Sequence, residues 1–410
     1  MIRFKVFLLS FFLLSILNCH SQSLQIEKEQ FSFVNYSENK IQFFSEEGNL
    51  NAFYNQLDSL IRYKKGKVKI LQIGGSHIQA EIWPDVIRNH FIETTGLNGG
   101  RGFVFPFKIA KTWNPKNSQI SCSGDWNAYR CSHKKHQSKW GISGYTVETN
   151  DSIASLQIGY RHDSITNYSF NKIKVFYNIE ESDYDINLLS NSYIKKFENK
   201  EFGYLEFDLK EKTDSLSIEF IKTKSTSKSL QFYGLSLEND DPGIVYTSIG
   251  VNGATTKSYL RNELFEKQLK SINPDLVIFC IGINDALYPG FCETCYEENY
   301  EKLISKFKEV NPNVSFLFVT NNDSYFKKKY ANTRVYQARS VMQKLAKNHN
   351  AGLWDLFEVM GGINSVIQWE KAGYAKKDKI HFTKKGYKLL GDLMFEALMK
   401  EYTNYKDLTN

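Results

Sequence analysis

The spacing of hydrophobic positions changes along the chain, and each change marks a different kind of structure. Phe53, Leu57, Leu60 and Ile61 recur at helical spacing. Val68, Ile70, Leu71 and Ile73 then form a short apolar run, which predicts a buried strand ending at Gly74-Gly75-Ser76. A helix is predicted over 79–94, with Ile82, Val86, Ile87 and Phe91 on one side. Strand, glycine turn and helix in succession begin an α/β unit.

From about residue 100 the texture shifts. Residues 110–145 are rich in Asn, Ser, Lys and Gly and carry Trp113, Trp126 and Trp140, with little periodicity. Between 151 and 238 apolar and polar residues alternate, as in Ile173-Lys174-Val175, Leu205-Glu206-Phe207 and Leu216-Ser217-Ile218. Period-two runs separated by polar breaks predict an antiparallel sandwich. At Asp241-Pro242-Gly243 the α/β rhythm returns, with strands predicted at 244–249, 276–281, 314–319 and 352–356. Helices are predicted at 259–269, 300–310, 335–347 and 384–402. Strands alternating with helices imply a parallel sheet. The chain therefore divides into a leader at 1–22, an α/β domain in two pieces at 23–104 and 241–410, and a β-rich insertion at 105–240.

Composition narrows the functional classes. The chain has 410 residues, 41% hydrophobic and 15% aromatic, enough for a large core with aromatics left for binding faces. The net charge of +7 is spread out, without a Lys/Arg block, so nucleic-acid binding is not expected. Arg3 and Lys5 precede an apolar run at 6–17, too short to span a bilayer comfortably and followed at once by polar residues. This predicts a cleaved signal peptide and an exported protein, in the periplasm, at the cell surface or outside the cell. Lipid attachment at Cys19 is the alternative, disfavoured because Asn18 stands where a small residue is usual. No other segment is long and apolar enough to cross a membrane.

Export places the cysteines in an oxidising space. Cys122 and Cys131 could pair. Cys292 and Cys295 read as a small loop-stapling disulfide rather than half a zinc site, since no second pair matches them. Cys280 lies in an apolar strand as a buried thiol. His133 and His136 are flanked by Lys134, Lys135 and Lys139, which disfavour a cation. No metal or cofactor is expected.

Four motifs carry the chemistry: Gly74-Gly75-Ser76-His77, Val251-Asn252-Gly253-Ala254, Gly282-Ile283-Asn284-Asp285 and Asp378-Lys379-Ile380-His381. Residues 76, 253 and 284 each follow a predicted strand, where reactive groups collect in open α/β sheets. A serine hydroxyl is a poor nucleophile without a base. His381 can take its proton, and Asp378 can hold the ring and stabilise the imidazolium. The N–H groups of Ser76 and Gly253 and the Asn284 amide can donate to the negative oxygen of a tetrahedral intermediate. Each motif alone has a simpler reading: helix cap, turn glycine, surface histidine. Only the four together, in this order, supply a complete set of parts.

In these blocks the chain resembles the SGNH hydrolases, also called the GDSL esterase/lipase superfamily. Ser76, Gly253, Asn284 and His381 match the four block residues, and Asp378 matches the acid of Asp-x-x-His. The resemblance covers 68–95 and 243–400, not the insertion. It implies a flavodoxin-like three-layer parallel sheet and esterase activity on varied acyl substrates. One departure stands out: Gly75 replaces the Asp that precedes the family serine, so its packing must come from elsewhere, with His77 the candidate. The leading expectation is a secreted serine esterase removing acetyl groups from a polysaccharide or peptidoglycan, its aromatic-rich insertion offering platforms for sugar rings. A lysophospholipase or thioesterase of the same superfamily is one alternative. A non-catalytic glycan-binding envelope protein is another.

Overall fold

The computed structural model describes residues 31–133, 138–161, 168–189 and 192–409. The leader with Cys19 lies outside them, as do Lys134, Lys135 and His136. The chain enters through an edge strand, β1 (Ile41–Gln42), and a helix, α1 (Asn51–Tyr63), whose apolar stripe buries Phe53, Tyr54, Leu57 and Leu60. Strand β2 (Lys67–Gly74) follows, buried from Ile70 to its end. The helix predicted at 79–94 is instead two: a single turn, α2 (Ser76–Gln79), and α3 (Ile82–Thr95). Pro84 cannot donate to residue 80, so it fits only in a first turn. Glu81 takes up the break, with a left-handed φ of 58°.

The inserted strands are β3 (Gly100–Val104), β4 (Ser118–Ser123), β5 (Asn127–Arg130), β6 (Tyr145–Thr149), β7 (Ile153–Tyr160) and β8 (Phe170–Tyr177). They continue with β9 (Tyr184–Leu188), β10 (Tyr193–Asn199), β11 (Tyr204–Thr213), β12 (Ser215–Lys222) and β13 (Leu230–Glu238). They form two antiparallel sheets, β10-β11-β8-β13-β6-β5 with β3 also on β13, and β4-β7-β12-β9. The alternating residues turn inward and the sheets meet, as where Phe220 of β12 lies 5.9 Å from Phe232 of β13, ring to ring. Two details differ from the sequence reading. Pairing begins at Gly100, because β3 runs against β13 with Val104 opposite Leu235. Cys122 and Cys131 are unpaired: the first lies exposed on β4, the second buried just after β5, in the other sheet. Burial pushes the Cys131 thiol up to about 12.

The second α/β segment supplies β14 (Gly243–Gly250), α4 (Thr256–Tyr259), α5 (Phe265–Ile272), β15 (Leu276–Cys280), α6 (Ile283–Leu287), α7 (Glu293–Val310) and β16 (Ser315–Val319). A small pair, β17 (Tyr325–Phe326) and β18 (Tyr330–Ala331), precedes α8 (Arg334–Asn348) and β19 (Gly352–Trp354). Helices α9 (Leu356–Val359), α10 (Ser365–Lys371) and α11 (Lys384–Thr409) end the chain. The Cys292–Cys295 disulfide closes the entry to α7.

The central sheet runs β1-β19-β16-β15-β2-β14, with every strand parallel except edge strand β1. Leu71, Ile73, Val277 and Phe279 pack in one cluster with Phe265, Phe307 and Met342 from α5, α7 and α8. Val68, Ile70, Leu276 and Ile278 pack in the other with Leu57, Phe91 and Met394 from α1, α3 and α11. A parallel sheet covered on both faces is the three-layer fold expected, and the first cluster continues into the sandwich. Among the described residues no helix is long and apolar enough to cross a membrane. Register sets the rest: Gly250 pairs with Gly74, and Gly74 with Cys280, so three strands end level. The loops that follow them share one edge.

Candidate active site

Gly74 ends β2 where only a glycine fits, since an added Cβ would lie 2.6 Å from the Cys280 carbonyl oxygen. The chain then turns and α2 begins at Ser76. The Ser76 Oγ lies 2.7 Å from Nε2 of His381. His381 stands in the loop before α11, in a turn closed by hydrogen bonds from the Lys376 N–H to the His381 carbonyl and from Thr383 to Tyr374. Its Nδ1 lies 3.0 Å from Oδ2 of Asp378. The other carboxylate oxygen accepts the N–H groups of Ile380 and His381, both at 2.9 Å. Burial alone would raise the Asp378 carboxyl; these amides and the imidazole outweigh it and hold the group below its ordinary value. An ionised Asp378 favours the proton on Nδ1 and leaves the Nε2 lone pair facing the hydroxyl.

His77 underlies this line. Its Nδ1 is 2.9 Å from the Tyr387 hydroxyl, and its ring centre is 5.2 Å from that of His381. Burial first, then the adjacent His381, push its pKa down to about 3, so it packs as a neutral ring.

The donors converge from two further loops. Gly253 sits at φ 75° in a turn where the Ala254 N–H donates to Val251. The Gln79 side chain holds that turn by accepting the Asn252 N–H at 2.7 Å. Asn284 donates from Nδ2 to the Ala254 carbonyl at 2.9 Å, which fixes the amide orientation and leaves its second N–H for another acceptor. That nitrogen is 3.3 Å from where a Cβ on Gly75 would stand. Asp285 binds the two loops together, accepting the Thr256 hydroxyl at 2.8 Å and the Thr256 N–H. Burial pushes the Asp285 carboxyl up to about 6, against the pull of those bonds. The structure thus gathers the Ser76, Asn284, Asp378 and His381 side chains, with the Gly253 turn against Asn284.

A cleft of about 630 Å³ opens beside Ser76 and His381. One wall comes from the insertion, through Trp113, Lys116 and Asn117; the other comes from the His381 loop and the start of α11. The GDSL-like lipase/acylhydrolase family matches residues 214–389. That span carries the family's domain, and the fold around it is that of the SGNH hydrolases. The chain is an acylhydrolase. The matched span contains Gly253, Asn284, Asp378 and His381 and leaves out the Ser76 block, so Ser76 enters through its hydrogen bond to His381.

Solved structures resemble this fold to different extents. A peptidoglycan O-acetylesterase structure is 20% identical, with 89% of this chain and 99% of that one covered at a TM-score of 0.71. The lipase/acylhydrolase from Enterococcus faecalis is 23% identical, covering 38% of this chain and 76% of that one at 0.31. An acetyl xylan esterase is 21% identical, covering 38% and 81% at 0.31. No curated protein matches the chain at a comparable level.

Several groups around the site of this hydrolase escaped the sequence reading. Glu81 pairs with Arg88 at 3.3 Å and with Arg101, and accepts the Ser248 hydroxyl. Asp85 pairs with Arg88 at 2.7 Å and accepts the Tyr168 hydroxyl at 2.6 Å. Both arginines are almost wholly buried, and Arg101 also faces the rings of Tyr160 and Tyr168. Burial would raise the Glu81 carboxyl, but the two guanidinium groups hold it below its ordinary value. This network ties the insertion to α3 and β14 directly under the cleft. These groups come together only through the fold.

Proposed function

We propose that this acylhydrolase is exported and removes acetyl groups from a polysaccharide or peptidoglycan. Ser76 attacks the ester carbonyl while His381 takes its proton at Nε2, and Asp378 steadies the imidazolium through Nδ1. The carbonyl oxygen, now negative, receives the N–H groups of Ser76 and Gly253 and the free N–H of Asn284. The bond to the sugar oxygen breaks as His381 gives that oxygen its proton, releasing the sugar hydroxyl and leaving acetyl-Ser76. Water, deprotonated by the same imidazole, releases acetate and restores the serine.

The observation that carries the reading is the unbroken line from Ser76 through His381 to Asp378, at 2.7 and 3.0 Å. The leader at 1–22 supports export. Trp113, half exposed on the cleft wall, supports a sugar ring at the leaving group. The insertion, read as a domain over 105–240, contributes that wall. Peptidoglycan is named because the chain shares its architecture with a peptidoglycan O-acetylesterase over nearly its whole length. The test is turnover of p-nitrophenyl acetate and acetate release from O-acetylated peptidoglycan and xylan, by wild type and Ser76→Ala. The variant should lose at least about 10³-fold in rate. Equal rates would remove Ser76 from the mechanism, and faster cleavage of long-chain acyl esters than of acetate would favour the lysophospholipase reading.

A further inference from the structure

The charges lining the cleft are unevenly matched. Its two carboxylates, Glu81 and Asp85, are already engaged by Arg88 and Arg101 beneath them. Its lysines are not. Lys116 comes from the insertion wall, Lys376 from the loop that carries Asp378 and His381, and Lys384 and Lys388 from the first turns of α11. All are exposed, and among the described residues none has an acidic partner. Elsewhere Lys67, Lys172, Lys212, Lys306 and Lys344 each pair with a carboxylate. The unmatched positive charge is therefore set on both walls of the cavity that holds Ser76. Lys384 and Lys388, four residues apart, lie on one helix face.

We infer that Lys116, Lys376, Lys384 and Lys388 form an anion subsite that selects a carboxylate-bearing glycan as the acetylated substrate. The inference rests on the esterase reading above and names its substrate class. Lysine ammonium groups on flexible stems suit carboxylates whose spacing varies along a polymer, rather than one planar anion held in a fork. Trp113 on the insertion wall offers the sugar ring an apolar face in the same cleft. A neutral glycan would leave the lysines unanswered. The carboxylates can belong to uronic sugars or to the peptide stems of peptidoglycan, and both present the same chemistry to the cleft.

The test compares acetate release from an O-acetylated polyuronate, from soluble O-acetylated muropeptides and from neutral O-acetylated xylan, at low and at physiological salt. Wild type should favour at least one acidic polymer over xylan by about 10-fold or more in kcat/KM at low salt, with the preference shrinking as salt screens it. Whichever acidic polymer leads identifies the source of the carboxylate. In Lys376→Gln/Lys388→Gln the ratio of acidic to neutral turnover should fall about 10-fold, whereas Lys302→Gln on the outer face of α7 should leave that ratio unchanged. A wild-type preference for xylan, or a ratio that the double variant does not move, overturns the subsite. Binding of Ser76→Ala protein to the same polymers, read by fluorescence anisotropy, tests the subsite without turnover. Charge-selective binding without ester cleavage would uphold the subsite and count against the esterase chemistry alone; charge-blind binding would overturn the subsite even if esters are cleaved.

Discussion

Replacing Asn284 by Ala isolates one part of the proposed chemistry. The Asn284 amide nitrogen has two hydrogens, and one is committed to the Ala254 carbonyl at 2.9 Å. Only the other can meet an oxyanion. Removing such a donor costs about 10²–10³ in kcat, or about 2.7–4 kcal/mol in the transition state. The stability cost is smaller. The variant loses one hydrogen bond, worth about 1 kcal/mol, and gains a little from the better helical propensity of alanine within α6. The neighbouring turn keeps its other tie, because Asp285 still holds Thr256. Rate and stability should therefore separate. Steady-state hydrolysis of p-nitrophenyl acetate should show kcat falling with KM nearly unchanged, since the donor acts on charge that exists only in the transition state. Thermal unfolding, measured in parallel, should move little. A fall in kcat of less than about tenfold, in a protein of normal stability, would refute the assignment of Asn284 as a donor.

Two further outcomes follow from the buried charges. Glu81→Gln leaves Arg88 and Arg101 buried without their shared carboxylate and should cost about 3–5 kcal/mol in urea unfolding; a loss under about 1 kcal/mol would mean that water reaches the network. Asp285 has a folded-state pKa raised to about 6, so its contribution to stability is fully present below the unfolded value, near 3.8, and is lost as pH rises through 6. The stability of wild type relative to Asp285→Asn should therefore fall between about pH 4 and 6, by on the order of 3 kcal/mol, and then level off; a difference independent of pH would contradict the raised value.

Much of this architecture is written in short-range pattern. The run at 276–281 is continuously apolar, and those at 68–73 and 244–249 are largely so, because their strands are covered by packing on the sheet. Leu216, Ile218 and Phe220 alternate because β12 has one face inside the sandwich. Ser76, Gly253 and Asn284 were legible as site candidates because each stands just past such a run. What could not be read depends on contacts between distant segments. The partners of Glu81 could not be read, because one of its two arginines, Arg101, lies on β3 and meets it only in the folded chain. The GRGFV of β3 is too short and glycine-rich to announce a strand, and it becomes one because β13 offers an edge. The lysines of the cleft look like ordinary solvated charges until the walls that carry them face each other.

The placement of β2 has a consequence for how the molecule is made. This strand lies inside the sheet, flanked by β14 and β15. Yet on the ribosome Gly74 emerges long before Gly243, the first residue of the nearer partner. Until then β2 exposes an apolar ladder with neither neighbour to cover it, while the intervening β strands can already close on their own core. A nascent chain of this kind needs something to shield that segment, a holding chaperone or a pause in synthesis, and the same interval is where aggregation of the newborn polypeptide would begin.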